Sequence, residues 1–358
     1  FDIFAFPFTY RPEFEVDTTL LCRGTPGCIA DCTYRQKHMK VFLDQIVGRY
    51  VVQRAKALGF AAVLFSGGGE NLEDEAYGNF LGVLKTAKDA GLQTNLATNG
   101  VRLDPTRIQE LIFLLDSIRF SIPPTTRNYC HLGVIAPSIN LARKLIREEY
   151  LGTKLYANIL MTPNMPVFEL EADILLVSQL GVDGIRFKGQ HEWTGESFVL
   201  RPSAYVNHVR AIRSIERRKD LALPPITVSK LERMMNKEKE IGVRPFDGCW
   251  YRDFNPLILG CDSHNYACCE MKYEELFDYG DVLPGSDNLK ALTKPRKQWQ
   301  SVNANYCFRG CKGYLVNIDL QRLLNEYETK GRSIFEDPQN VLIRDRVLHD
   351  LVRSVLTN

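Results

Sequence analysis

The sequence predicts an α/β protein: six short β-rich runs alternate with helical stretches between residues 18 and 188, and a cysteine-rich segment of little periodicity follows from about Phe246. Three observations carry this prediction: the alternation, the glycines that end several of the runs, and the partition of ten cysteines into two groups with Cys130 between them. Parallel neighbours need helical crossovers, so the alternation implies a parallel sheet. Six units fall short of the eight that close a full barrel, which leaves an open partial barrel or a doubly wound sheet.

Residues 18–22 read as the first strand and residues 41–58, with apolar side chains at helical spacing, as the helix after it. Residues 60–66 form an apolar run that stops at Gly67-Gly68-Gly69, a buried strand meeting a turn. Helix 74–90 then leads through Gly91 to strand 93–97, and helix 105–115, with Pro105 at its start, leads to strand 117–121. Helix 138–149 precedes strand 154–161, and helix 170–180 leads through Gly181 to strand 184–188. The pattern breaks after Lys188. We divide the chain into a barrel core over residues 1–200, a helical linker over 201–245, a ligation-held lobe over 246–317 and closing helices over 318–358, at 320–330 and 341–356.

Composition excludes several classes. With 45 Lys+Arg against 43 Asp+Glu the net charge is +2, so a nucleic-acid-coating surface is not expected, and the basic stretch 210–219 reads as a solvated helix face. Apolar residues at 45% and charged residues at 25% exclude whole-chain disorder. No apolar run reaches the roughly 18 residues that cross a membrane, and residues 1–12 lack the basic and apolar regions of a signal peptide. A soluble cytoplasmic protein is expected, and in a reducing compartment grouped cysteines are more often metal ligands than disulfides.

Cys22 ends the first strand, and a glycine-containing loop carries the chain to Cys28 and Cys32. Three thiolates on one loop suit one metal centre. An iron–sulfur cube with three cysteine ligands leaves one iron open, whereas structural zinc would take a fourth local ligand such as His38. The second strand ends in Ser66-Gly67-Gly68-Gly69-Glu70, where glycines admit close backbone approach and the carboxylate suits an ammonium better than a phosphate. The third ends in Ala97-Thr98-Asn99-Gly100.

Together these residues resemble the radical S-adenosylmethionine (SAM) superfamily over roughly residues 18–188. The cysteine spacing is a variant, five residues and then three where three and then two is usual. The resemblance implies a partial (β/α)6 TIM-like barrel with a small Cys-rich C-terminal metal-binding lobe. It implies Cys22, Cys28 and Cys32 as ligands of a SAM-binding [4Fe–4S] cluster, and Gly67, Gly68, Gly69 and Glu70 along the methionine moiety of SAM. Asn99, Ser121 and Asn158 are the further SAM contacts it implies. The activity implied is reductive cleavage of SAM to a 5′-deoxyadenosyl radical, which abstracts hydrogen from a substrate C–H bond. An external one-electron donor is then needed, flavodoxin-like, ferredoxin-like or a dedicated reductase.

The later cysteines resemble a SPASM or twitch extension, with Gly248-Cys249-Trp250, Gly260-Cys261-Asp262, Cys268-Cys269 and Cys307-Phe308-Arg309-Gly310-Cys311 as its parts. One auxiliary [4Fe–4S] cluster on Cys249, Cys268, Cys307 and Cys311 is expected, with Cys261 and Cys269 as competing ligands and a zinc knuckle as the alternative. Cys130 reads as a small buried apolar residue.

Tyr129, His131, Arg186, Lys188, His191 and Glu192 follow or end the fourth and sixth strands and are the candidates to meet substrate. Because the chain starts almost at its first strand, the expected substrate is a small molecule, such as an amino sugar or natural-product intermediate undergoing dehydration, oxidation or epimerisation. A peptide maturase is the enzyme alternative, and a zinc-stabilised binding module the non-enzyme one.

Overall fold

The computed structural model describes residues 11–23, 39–123, 128–190, 192–193, 198–199, 202–228, 231–232, 235, 257–266, 268, 272–273, 278–285, 325 and 329. Strands β1 (Arg11–Val16), β2 (Phe60–Phe65), β3 (Gln93–Thr98), β4 (Ser117–Ile122), β5 (Lys154–Met161) and β6 (Gly184–Gly189) lie side by side in chain order, each parallel to the next. Helices α1 (Gln45–Ala57), α2 (Asp74–Asp89), α3 (Pro105–Leu111), α4 (Asn128–Glu148) and α5 (Val167–Gln179) make the five crossovers. A two-stranded hairpin follows, β7 (Glu192–Trp193) with β8 (Phe198–Val199), and α6 (Val206–Glu216) leads to β9 (Ile226–Thr227) beside β6. At the opposite edge, β10 (Ile258–Leu259) lies parallel to β1, with antiparallel β11 (His264–Tyr266) and β12 (Asp278–Asp281) beyond it. The order β12-β11-β10-β1-β2-β3-β4-β5-β6-β9 does not return on itself, so the sheet is an open, partial barrel.

Local chemistry sets several boundaries. Asp44 caps α1 by accepting from Ile46 N and Val47 N, at 2.7 and 3.2 Å, so the helix begins at Gln45 and not at 41. Asp104 caps α3 in the same way, ahead of Pro105, and that helix stops at Leu111 where 115 was expected. Helix α4 begins ten residues before the expected 138 and carries Pro137 in its interior. The helices expected over 320–330 and 341–356 lie outside the described residues, apart from Asn325 and Thr329.

The first strand is Arg11–Val16, not residues 18–22. Its alternation of Glu13 and Glu15 with Phe14 and Val16 looks like a solvent-facing edge, yet Glu13 and Glu15 are only 7% and 6% exposed. Residues 18–22 instead fold across the strand ends, where Thr19 bridges Phe42.

The register divides the barrel into two unlike faces. Phe14, Val16, Val63, Phe65, Leu96, Phe120, Ile159 and Ile185 are buried in the apolar core on the helical side. Successive side chains of a strand point to opposite faces, so Glu13, Glu15, Asn95, Arg119, Tyr156, Asn158 and Arg186 share the concave side. Burying each large apolar side chain on the outer side stabilises the fold by about 1.5–3 kcal/mol. The concave side buries Leu64 but is held largely by polar pairing. Asn95 Nδ2 donates to Glu13 at 2.7 Å, Ser117 Oγ donates to Asn95 at 2.6 Å, and Arg119 pairs with Glu13 at 3.6 Å.

Candidate functional site

The segment after β1 and the glycine tract after β2 pack backbone against backbone. A Cβ on Gly69 would lie 2.6 Å from the carbonyl oxygens of both Thr19 and Leu21, and one on Gly68 would lie 2.4 Å from Leu20 Cδ2. Gly67 has φ +137°, and its Cβ would fall onto the Asp17 carboxylate. Within the described structure, the glycines admit the chain segment that leads to Cys22. Glu70 N donates to Leu21 O at 2.8 Å and Arg23 N donates to Glu73 at 2.9 Å, so Cys22, half-buried, sits between two anchored residues. Cys28 and Cys32 lie outside the described residues.

Glu70 joins this loop to the next one. Its carboxylate accepts from Thr98 Oγ1 at 2.8 Å, Asn99 N at 2.7 Å and Leu72 N at 3.2 Å, and the residue is 4% exposed. Burial pushes the carboxyl from its ordinary 4.5 up to about 7, against the lowering effect of these three donors. The native state therefore binds the proton more tightly than the unfolded chain does. Its contribution to stability is full below pH 4.5 and is lost as pH rises to about 7. We expect Glu70→Gln to flatten the denaturation midpoint against pH across this window, removing a slope worth about 3 kcal/mol. Equal slopes in the two proteins would show that Glu70 titrates normally.

Behind the loop lies an ion cluster that sequence reasoning missed. Lys272 Nζ donates to Glu15 at 2.6 Å and to Asp17 at 2.8 Å, Tyr273 Oη donates to Asp17 at 3.0 Å, and Gly68 N donates to Asp17 at 2.9 Å. Burial raises the Asp17 carboxyl while Lys272 pulls it down. Charge at every second position, Glu13, Glu15 and Asp17, was the available signal for the acidic half. Nothing local marks Lys272, which is more than 250 positions away from its partners. Thus the described part of the cysteine-rich region continues the barrel's sheet through β10 and inserts a lysine beside the glycine loop. Cys261, 1% exposed, has its sulfur 3.5 Å from Tyr273 Oη, and burial pushes its thiol up to about 12.

The remaining candidates fall as follows. Asn99 opens the loop after β3, its Oδ1 accepting from Val101 N at 2.9 Å. Ser121 is exposed near the end of β4, and Asn158 is the register partner of both Ser121 and Arg186. Lys188 is exposed on β6; Tyr129, Cys130 and His131 are in the first turn of α4, and Glu192 is in β7. Cys268 is half-buried, whereas His191, Cys249, Cys269, Cys307 and Cys311 lie outside the described residues. Among the described residues no three His, Cys, Asp or Glu are arranged to hold a metal, and no helix is long and apolar enough to cross a membrane.

Two polar atoms around the loop have no hydrogen-bond partner among the described residues: Asn71 Nδ2, a donor next to Glu70, and Asn158 Oδ1, an acceptor on the concave face. Buried unpaired groups of this kind are costly and fit a ligand that brings both an acceptor and a donor.

No family model matches the chain, and no curated protein matches it. Solved structures do. Streptococcus suis SuiB bound to precursor peptide SuiA aligns with TM-score 0.62 at 13% identity over 82% of this chain and 67% of that one. SuiB bound to S-adenosylmethionine aligns with TM-score 0.59 at 12% identity over 80% and 66%, so this chain spans about two thirds of SuiB. Native anSMEcpe with bound AdoMet aligns with TM-score 0.54 at 13% identity over 89% of this chain and 100% of that one.

Proposed function

We propose that this chain, whose fold is that of the radical SAM superfamily, is an enzyme that binds S-adenosylmethionine at the ends of β2 to β5 and a [4Fe–4S] cluster on Cys22, Cys28 and Cys32. One observation carries the reading. The segment that presents Cys22 is locked onto the Gly67–Glu70 loop through Leu21, Asp17 and Gly68, so a cluster ligand and a loop suited to an amino acid moiety are neighbours.

The described residues fit S-adenosylmethionine. The Asn71 donor and the Asn158 acceptor each lack a partner among the described residues, and SAM carries a carboxylate, an ammonium and ribose hydroxyls that can serve them. Glu70, though engaged by three donors, retains acceptor capacity on the oxygen that binds Asn99 N. When bound, the cluster and SAM supply one-electron cleavage of the sulfonium and hence a 5′-deoxyadenosyl radical that takes hydrogen from an unactivated C–H bond. The chain's own work is to position and to exclude water. Glu70 fixes the loops after β2 and β3 against each other, the Asp17–Lys272 cluster fixes the glycine tract, and the concave face receives the substrate.

We read the substrate as a small molecule, with an external flavodoxin-like, ferredoxin-like or dedicated reductase as electron donor and an auxiliary [4Fe–4S] cluster on Cys249, Cys268, Cys307 and Cys311. The fold shared with SuiB bound to its precursor peptide favours a peptide substrate as the second reading. The test is anaerobic reconstitution with iron and sulfide, then incubation with SAM and a reductant. Production of 5′-deoxyadenosine is expected, and stimulation by a peptide over small polyols selects the second reading. A protein that takes up zinc alone and forms no 5′-deoxyadenosine overturns the proposal.

A further inference from the structure

Midway down the concave face, two arginines are buried side by side, with little negative charge among the described residues to balance them. Arg119 on β4 and Arg186 on β6 are 5% and 9% exposed, and they flank Tyr156 on the intervening strand. Arg119 is the direct register partner of Tyr156, and the Arg186 guanidinium carbon lies 4.6 Å from the Tyr156 ring centroid. Among the described residues one carboxylate comes within ion-pair distance of either guanidinium: Glu13, at 3.6 Å from Arg119, and it also accepts from Asn95. Arg119 Nε is buried with no hydrogen-bond partner among the described residues.

Such a pair is unfavourable in isolation. Burial is the main force lowering both guanidinium pKa values, and Arg119 lowers that of Arg186 further. A hydrophobic barrel interior would be the more stable choice, so the arrangement calls for an anion. The methionine end of SAM is assigned to the loops at the strand ends. Glu13, which Arg119 touches, lies four positions before Asp17, about 13 Å down the strand at roughly 3.3 Å per residue. The Arg119 guanidinium therefore reaches into the barrel below that level, and Arg186 lies on the other side of Tyr156 from it.

We infer that Arg119 and Arg186 bind a carboxylate of the substrate. This rests on the enzyme reading above for the word substrate, but not for the anion site itself. Planar guanidinium forks match the two oxygens of a carboxylate, and the Arg186 fork lies over the Tyr156 ring. The carboxylate belongs either to a small acid or to an acidic side chain of a peptide.

The test is calorimetric titration of the reconstituted full chain, without reductant, using glutarate, a capped pentapeptide with one central glutamate, and neutral glutaramide. Glutarate or the peptide should bind and glutaramide should not; tighter binding by the peptide identifies a peptide source, and equal or tighter binding by glutarate a small acid. Arg186→Met should lose at least about tenfold in this affinity while melting no lower than wild type, since it removes a buried charge that has no ion-pair partner among the described residues. Arg119→Lys keeps a cation for Glu13 but loses the fork, and should also bind about tenfold more weakly; it decides the matter if Arg186→Met does not fold. Equal binding of glutarate and glutaramide, no binding of either acid, or unchanged affinity in both variants overturns the inference. Failure to form 5′-deoxyadenosine while acid binding persists would overturn the radical reading alone.

Discussion

Lys272→Met is expected to cost about 3–5 kcal/mol of folding stability near pH 8 and distinctly less near pH 5, because it strands two buried carboxylates. Lys272 has no exposed side-chain surface, and its ammonium lies 2.6 Å from Glu15 and 2.8 Å from Asp17. Methionine fills nearly the same volume, so the loss is of charge and not of packing. Without the ammonium, both carboxyls favour their protonated forms in the folded chain more than in the unfolded one. Folding then takes up protons, and the variant's deficit grows as pH rises and shrinks as pH falls. Against a typical total of about 5–15 kcal/mol, such a loss leaves the chain marginal. Urea midpoints of both proteins at the two pH values check this, and a deficit that is the same at both would mean that Lys272 acts through packing. Asp17 also receives Gly68 N, so SAM affinity should fall in the folded fraction.

The outer half of the fold was legible because it obeys one rule at a time. Strands such as Phe60–Phe65 are apolar throughout, and helices such as Asp74–Asp89 carry apolar residues at helical spacing. The inner half obeys two rules together. Arg11–Val16 alternates charge with apolar side chains because one side faces the helices and the other faces Lys272 and Arg119, and only the assembled barrel brings those partners near. The site divides in the same way. Gly67 to Glu70 stood out as a tract of glycines at a strand end, but that Glu70 would be enclosed by Thr98, Asn99 and Leu72 depends on the adjoining loop. Arg119 was an ordinary polar residue in sequence and becomes informative only through a buried atom without a partner among the described residues.

Cys22→Ala should abolish 5′-deoxyadenosine formation and lower iron by about four atoms per chain, while leaving the fold intact. The first part follows from the proposed cluster: with one of three thiolates removed, the cube is held by two and does not survive in its original form. The second part follows from the structure. Cys22 is half-buried, and the backbone on either side of it is held independently, Leu21 O by Glu70 N and Arg23 N by Glu73. Arg23 is held again through its side chain, which pairs with Glu73 and Glu75. Removing the sulfur breaks none of these contacts, so the cost in stability, compared between the cluster-free proteins, should stay within about 1 kcal/mol. Loss of activity at an unchanged urea midpoint would therefore report the metal and not the fold. Iron content and SAM turnover equal to wild type would exclude Cys22 as a ligand, and the locked junction between residues 17–23 and the glycine loop would then be a purely structural joint.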